Sequence, residues 1–176
     1  MKSDDAKNAR TGCYGCMGFI AVLVLIALVG TIVYKMQPTS LNDASRYAQR
    51  LHALMYADAT ASAYLTHADE NSPQESYEVA RRMADDAKDA ASTIDAPSEF
   101  SESGTAFEAY ANQLSRSYAK IADLLNSPSL ARGHDLLQSI AVVNAYAREA
   151  ITAFKRDLAH SHFTKTEKQR ILNRLL

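Results

Sequence analysis

Five histidines, two cysteines and two polar residues that interrupt apolar stripes are the places where this chain could do chemistry. The histidines are His52, His67, His134, His160 and His162, and only the last two are close in sequence. Two-residue spacing on a helix turns side chains about 200° apart, so this pair could share a metal only in an extended segment. A solvated pair at a helix junction is the expectation. Cys13 and Cys16 form a C-x-x-C, the spacing of half a zinc site, of a redox dithiol or of a lipid acceptor at a membrane edge. A zinc site needs two more ligands nearby and a thioredoxin-like motif needs a βαβ setting, and the surroundings offer neither. With Gly12, Gly15 and Gly18 beside them, the cysteines read as small residues that let a helix end pack closely.

The second candidate is a polar layer. Asp58 follows Leu51 and Leu54 on one apolar stripe, and Asn144 follows Leu137 and Ile140 on another. Counted at 1.5 Å per residue from the same end, each lies about 25 Å along its helix. Tyr77 and either Ser115 or Arg116 fall at similar height on the two helices between. Asp58, Asn144, Tyr77 and Arg116 could therefore form a register-fixing network or a small-ligand pocket between helices, because a buried carboxylate needs partners. The competing reading places Asp58 at the stripe edge, in water.

No Gly-rich phosphate loop, H-E-x-x-H, G-x-S-x-G or dinucleotide fingerprint occurs, and no E-x-x-H pair supports a di-iron bundle. No nucleophile with a base can be assembled, so the chain is expected to be non-enzymatic, with no cofactor and no metal. The 19 Lys plus Arg against 20 Asp plus Glu argue against a nucleic-acid binder. At 47% hydrophobic residues the chain is too apolar for disorder.

These groups must be held by something, and the first element is a membrane span. Residues 17–34 carry no charge, and the uncharged run extends back to Cys13. As a helix it reaches about 27 to 33 Å, enough to cross a bilayer, with Tyr14 and Tyr34 at the two headgroup layers. The run is long for a signal peptide and has no A-x-A cut site, so residues 13–36 read as an uncleaved signal anchor behind a tail at 1–12. Basic residues tie across the span: Lys2, Lys7 and Arg10 before it, Lys35, Arg46 and Arg50 after it. A short basic tail ahead of a long domain favours an amino terminus in the cytoplasm and a domain outside, as in a bacterial inner-membrane protein facing the periplasm or the exterior.

Beyond the anchor, Pro38, Pro73, Pro97 and Pro128 divide the chain into segments of about thirty residues. Ser40-x-x-Asp43, Ser72-Pro73-Gln74-Glu75, Ser127-Pro128 and Thr164-x-x-Glu167 are helix-start devices, and Thr105-x-x-Glu108 is a possible restart. Gly104 and Gly133 mark possible interruptions. The pattern predicts five helices at 40–69, 73–95, 98–126, 128–160 and 164–176, each of the first four with one apolar stripe. The stripes run through Tyr47, Leu51, Leu54, Ala61 and Leu65; Tyr77, Ala80, Ala84, Ala87, Ala91 and Ile94; Phe100, Phe107, Tyr110, Leu114, Ile121 and Leu125; and Leu130, Leu137, Ile140, Ala147, Ile151, Phe154 and Leu158. Short links make neighbours antiparallel, so the fold class is all-α: a transmembrane helix, then an up-down antiparallel four-helix bundle at 37–160, then a short amphipathic helix at 161–176.

That last helix sets Lys165, Lys168, Arg170 and Arg174 beside Ile171, Leu172, Leu175 and Leu176. Residues 155–176 carry net +4 and residues 37–154 net −7. Either the basic helix rests on anionic lipid, or it caps the base of an acidic bundle. An anchor followed by a helical bundle resembles, in architecture over 38–160, the extracytoplasmic four-helix sensor domains of bacterial chemoreceptors and histidine kinases. Those receptors also have a second span and a cytoplasmic signalling region, and no segment of residues 38–176 reads as either. The expected function is a single-pass interaction or scaffold module whose partners are the lipid bilayer and either another protein or itself. The alternative is a sensor-like bundle that binds a small ligand or metal between its helices.

Overall fold

The computed structural model describes residues 38–66, 72–126 and 130–175, the side chains of 130–137 and 139 excepted. Over these residues the chain forms five α-helices: α1 Leu41–Thr66, α2 Pro73–Thr93, α3 Ser101–Asn126, α4 Leu130–His160 and α5 Lys165–Leu175. A 3-10 turn at Ser98–Phe100 precedes α3, and no strand occurs among the described residues. Each observed helix lies inside the stretch that periodicity assigns to it. Among the described residues no helix is long and apolar enough to cross a membrane. The span expected at 13–36, with Cys13 and Cys16, lies outside them, as does the Ser127-Pro128 device.

The helix starts follow from side chains. Ser40 Oγ accepts the Asp43 N–H at 3.1 Å and donates to the Asp43 carboxylate at 2.6 Å. Ser72 Oγ accepts the Glu75 N–H at 3.2 Å, with Pro73 at the first helical position. Thr164 and Glu167 close a reciprocal capping box: the Glu167 carboxylate accepts the Thr164 N–H at 2.9 Å, and the Glu167 N–H reaches Thr164 Oγ1 at 3.4 Å.

Two sequence signals resolve differently. Thr105 does not restart a helix, because α3 runs unbroken from Ser101 and the Thr105 hydroxyl donates back to the Ser101 carbonyl at 3.1 Å. Gly104 is a contact point instead of a break: a Cβ there would stand 2.5 Å from the Ala96 Cβ. Glycine lets the link between α2 and α3 lie directly on α3.

Residues Thr39–Leu176 pack as one helical bundle with α3 at its centre, flanked by α2 and α4, while α1 lies on α2 and α5. The stripes supply the core: Tyr47, Leu51, Ala80, Ala87, Phe100, Phe107, Tyr110, Leu114 and Phe154 are all buried. At one end Tyr47, Phe100 and Phe154 pack with their rings tilted and centroids 5.3 to 6.2 Å apart, so aromatic bulk fills the space between α1 and α4. The links meet there too. The Glu99 carboxylate accepts the Thr39 N–H at 3.3 Å, the His162 N–H at 3.3 Å and His162 Nδ1–H at 2.7 Å. Asp157 accepts the Ser103 N–H at 2.7 Å, and Arg156 pairs with Glu102.

Helix α5 turns back along α1. Ile171 and Leu175 are buried, and His52 Nδ1 donates to the Leu175 carbonyl at 3.0 Å. The apolar face that sequence offers to lipid is thus largely spent on protein packing. Of the four cations, Lys165, Arg170 and Arg174 are exposed, while Lys168 donates to the Ala159 carbonyl at 2.7 Å near the end of α4.

Candidate functional site

Away from the aromatic layer no ring bridges α1 and α4 among the described residues, and a cleft of about 590 Å³ opens between α1, α3 and α4. Asp58, Ala59, Ser62, Leu65 and Thr66 line it from α1, and Ile140, Val143 and Asn144 from α4. Leu114, Ser117, Tyr118, Ile121, Leu124 and Leu125 form the α3 wall. The volume falls in the range of small-ligand pockets, and an apolar lining with a few polar groups is their usual composition.

The Asp58 carboxylate is held in the cleft by two side-chain hydrogen bonds. Tyr110 donates to its Oδ2 at 2.8 Å and Tyr118 to its Oδ1 at 2.9 Å, so each oxygen holds one phenol. The Tyr118 hydroxyl also lies 3.1 Å from the Asp58 carbonyl. Both tyrosines are buried on α3, one at 110 and one at 118, two turns apart on the same face. Burial first, and then the adjacent Asp58 charge, push both phenols well above the usual tyrosine range. They are therefore fixed donors. Ser117, only 3% exposed, has a buried hydroxyl with no hydrogen-bond partner among the described residues. Such a group is costly to leave unmatched, which makes it a second polar feature on the same wall.

Of the four residues that sequence groups in one layer, the structure brings together two. Asp58 and Asn144 line the same cleft, with Asn144 on its exposed side. Tyr77 instead accepts from Arg81 Nη1 at 3.3 Å within α2, and Arg116 is exposed. At the height of Arg116, Ser115 turns inward and donates to the Ala84 carbonyl at 2.7 Å, tying α3 to α2. The partners of Asp58 that sequence reasoning passes over are Tyr110, read only as core, and Tyr118. The signal was present, since a tyrosine on a buried stripe needs an acceptor for its hydroxyl.

Elsewhere His162 engages Glu99 and His160 Nδ1 donates to the Arg156 carbonyl at 2.9 Å, so each ring is used within a helix junction. Among the described residues no group of three or more His, Cys, Asp or Glu is placed to hold a metal ion. A shallower depression of about 400 Å³ lies at the corner between α4 and α5, with Lys155, Lys165 and Lys168 around Leu158, Phe163 and Leu172.

Comparison of the chain with protein-family models, with curated proteins and with solved structures returns no match.

The buried phenols give a titration that can be checked. Tyr47, whose hydroxyl lies 3.0 Å from Ser103 Oγ, is pushed up to about 12, chiefly by burial. For all three tyrosines the folded value exceeds the unfolded one near 10, so their stabilising contribution is complete below about pH 10 and disappears as pH rises through the folded values. Tyr47 alone contributes on the order of 2 kcal/mol of this alkaline dependence. Absorbance of phenolate near 295 nm is expected to show these three ionising late, together with unfolding; free titration of every tyrosine near pH 10 in the folded protein would contradict it.

Proposed function

We propose that this chain is a single-pass membrane protein whose up-down helical bundle, on the extracytoplasmic side, is a non-enzymatic binding module that takes its ligand in the cleft between α1, α3 and α4. The observation that carries the reading is the cleft: about 590 Å³, mostly apolar, with one carboxylate immobilised by two buried phenols. Phenols held this far above neutrality serve as positioning donors, which suits recognition better than proton transfer. The anchor rests on the uncharged run at 13–34 and the orientation on the short basic tail before it. Lys165, Arg170 and Arg174, exposed on α5, supply positive charge suited to anionic headgroups.

The test is a thermal-shift screen of the full chain in lipid nanodiscs against amines, amino acids, organic acids, nucleotides and metals. A ligand present at a hundred times its dissociation constant stabilises by about 2.7 kcal/mol, several degrees for a domain of this size. Ser62→Trp fills the cleft from an exposed position and should abolish the shift. A flat screen, or a shift indifferent to Ser62→Trp, would remove the reading.

A second reading has its own observation. Val142 and Tyr146 stand one turn apart on α4, each about 40% exposed, and Tyr56 on α1 is 67% exposed. Such side chains favour a protein partner or self-association, and crosslinking in native membranes through residue 142 would capture it.

A further inference from the structure

Resting on the cleft reading, we infer that the ligand is a small organic amine: a cationic ammonium head on a short hydrocarbon or aromatic body. Asp58 sits on the cleft wall, and among the described residues its partners are neutral tyrosine hydroxyls; no cation neutralises it. Each phenol spends its only proton on the carboxylate, so neither has a donor left for a ligand. What faces the cleft at this point is a negative charge with unused lone pairs, beside a Tyr118 phenol whose proton is already spent.

An ammonium group matches that set. It carries three donors, no acceptor and one positive charge. An anion would meet Asp58 with no cation among the described lining residues to offset the repulsion, and a neutral alcohol would satisfy one acceptor while leaving the charge unmatched. Asn144, across the cleft on α4, offers both a donor and an acceptor and so does not reverse the preference. The rest of the lining, including Leu114, Ile121, Leu125 and Val143, fits a hydrocarbon body rather than a second charge. One end of the site thus reads charge and the other reads apolar shape.

Three fluorinated probes with the same arylethyl body separate the alternatives: 4-fluorophenethylammonium, 2-(4-fluorophenyl)ethanol and 3-(4-fluorophenyl)propanoate. Each is titrated into the full chain in zwitterionic nanodiscs and followed by fluorine NMR, with empty discs as the blank. The ammonium is expected to bind at least tenfold more tightly than the alcohol, and the propanoate more weakly than either. Asp58→Asn should weaken the ammonium at least tenfold and remove its preference over the alcohol. Ser62→Trp should abolish both, which places the binding in the cleft, and residual binding of ammonium and alcohol by Asp58→Asn shows that this variant is folded. Equal binding of ammonium and alcohol, or tighter binding of propanoate, overturns the amine and leaves the cleft as a neutral pocket. No binding by any probe overturns the amine together with the cleft reading.

Discussion

Phe154→Ala is expected to destabilise the bundle by about 3–5 kcal/mol, a large part of the 5–15 kcal/mol that ordinarily separates folded from unfolded domains. Phe154 has no exposed surface, and its ring lies 5.3 Å from Phe100 and 6.2 Å from Tyr47. It therefore joins α4 to α1 and to the turn before α3, in a region where the α1 and α4 backbones make little direct contact. Alanine would leave a cavity between three aromatic-lined elements, and a cavity that does not collapse places the cost at the upper part of the range for such truncations. In a melt followed by circular dichroism, the midpoint should fall by roughly 10 °C or more. Val142→Ala, on the exposed face of the same helix, should change stability by no more than ~0.5 kcal/mol. A loss below about 1 kcal/mol for Phe154→Ala would mean that the aromatic layer does not hold α4 in place.

The helices were legible because two independent signals coincide in them. At α2, for instance, Ser72-Pro73 sets the start, and the alanine stripe from Ala80 to Ala87 sets the buried face. Phase was less legible. Tyr77 sits on the stripe pattern yet ends only partly buried with its hydroxyl toward Arg81, because the packed face of α2 is narrow where small residues let α3 approach. Height along a helix carries over well, since rise per residue is nearly constant, and that is why Asp58 and Asn144 share a cleft. Direction around the axis does not, since a small error in phase moves Arg116 from inside to outside while Ser115 takes its place.

The use of α5 was hidden for a different reason. An amphipathic helix has an apolar face whether it lies on lipid or on protein, and hydrophobic periodicity is the same in both cases. Only the tertiary arrangement decides. Here the capping box at Thr164 and Glu167 turns the chain sharply, the Glu99 carboxylate holds the turn through His162, and Ile171 and Leu175 are delivered to α1. Lys165, Arg170 and Arg174 are left outward, so packing uses one side of the helix and leaves most of its positive charge exposed on the other.

Asp58→Ala is expected to cost about 2–4 kcal/mol, although Asp58 lines an open cleft and conventional reasoning would make it a surface carboxylate. The cost arises in its partners. Tyr110, 1% exposed, has no other hydrogen-bond acceptor among the contacts described, and Tyr118 retains only the backbone carbonyl of residue 58. Loss of a charged acceptor at a buried phenol costs about 1–3 kcal/mol each time. Tyr110→Phe removes the donor along with its need, so the double variant should be less destabilised than the sum of the two single ones by about 1–2 kcal/mol. Urea unfolding of the four proteins completes the cycle, and additivity within ~0.3 kcal/mol would show that the pair does not interact. Asp58→Asn separates the two duties of the residue. Its amide oxygen still accepts from one phenol, so stability should fall by only about 1 kcal/mol, while the negative charge offered to the cleft is gone. A carboxylate needed only for structure would show the large Ala effect with no change in binding on Asn substitution; one needed for recognition as well would lose ammonium selectivity in a protein that still folds.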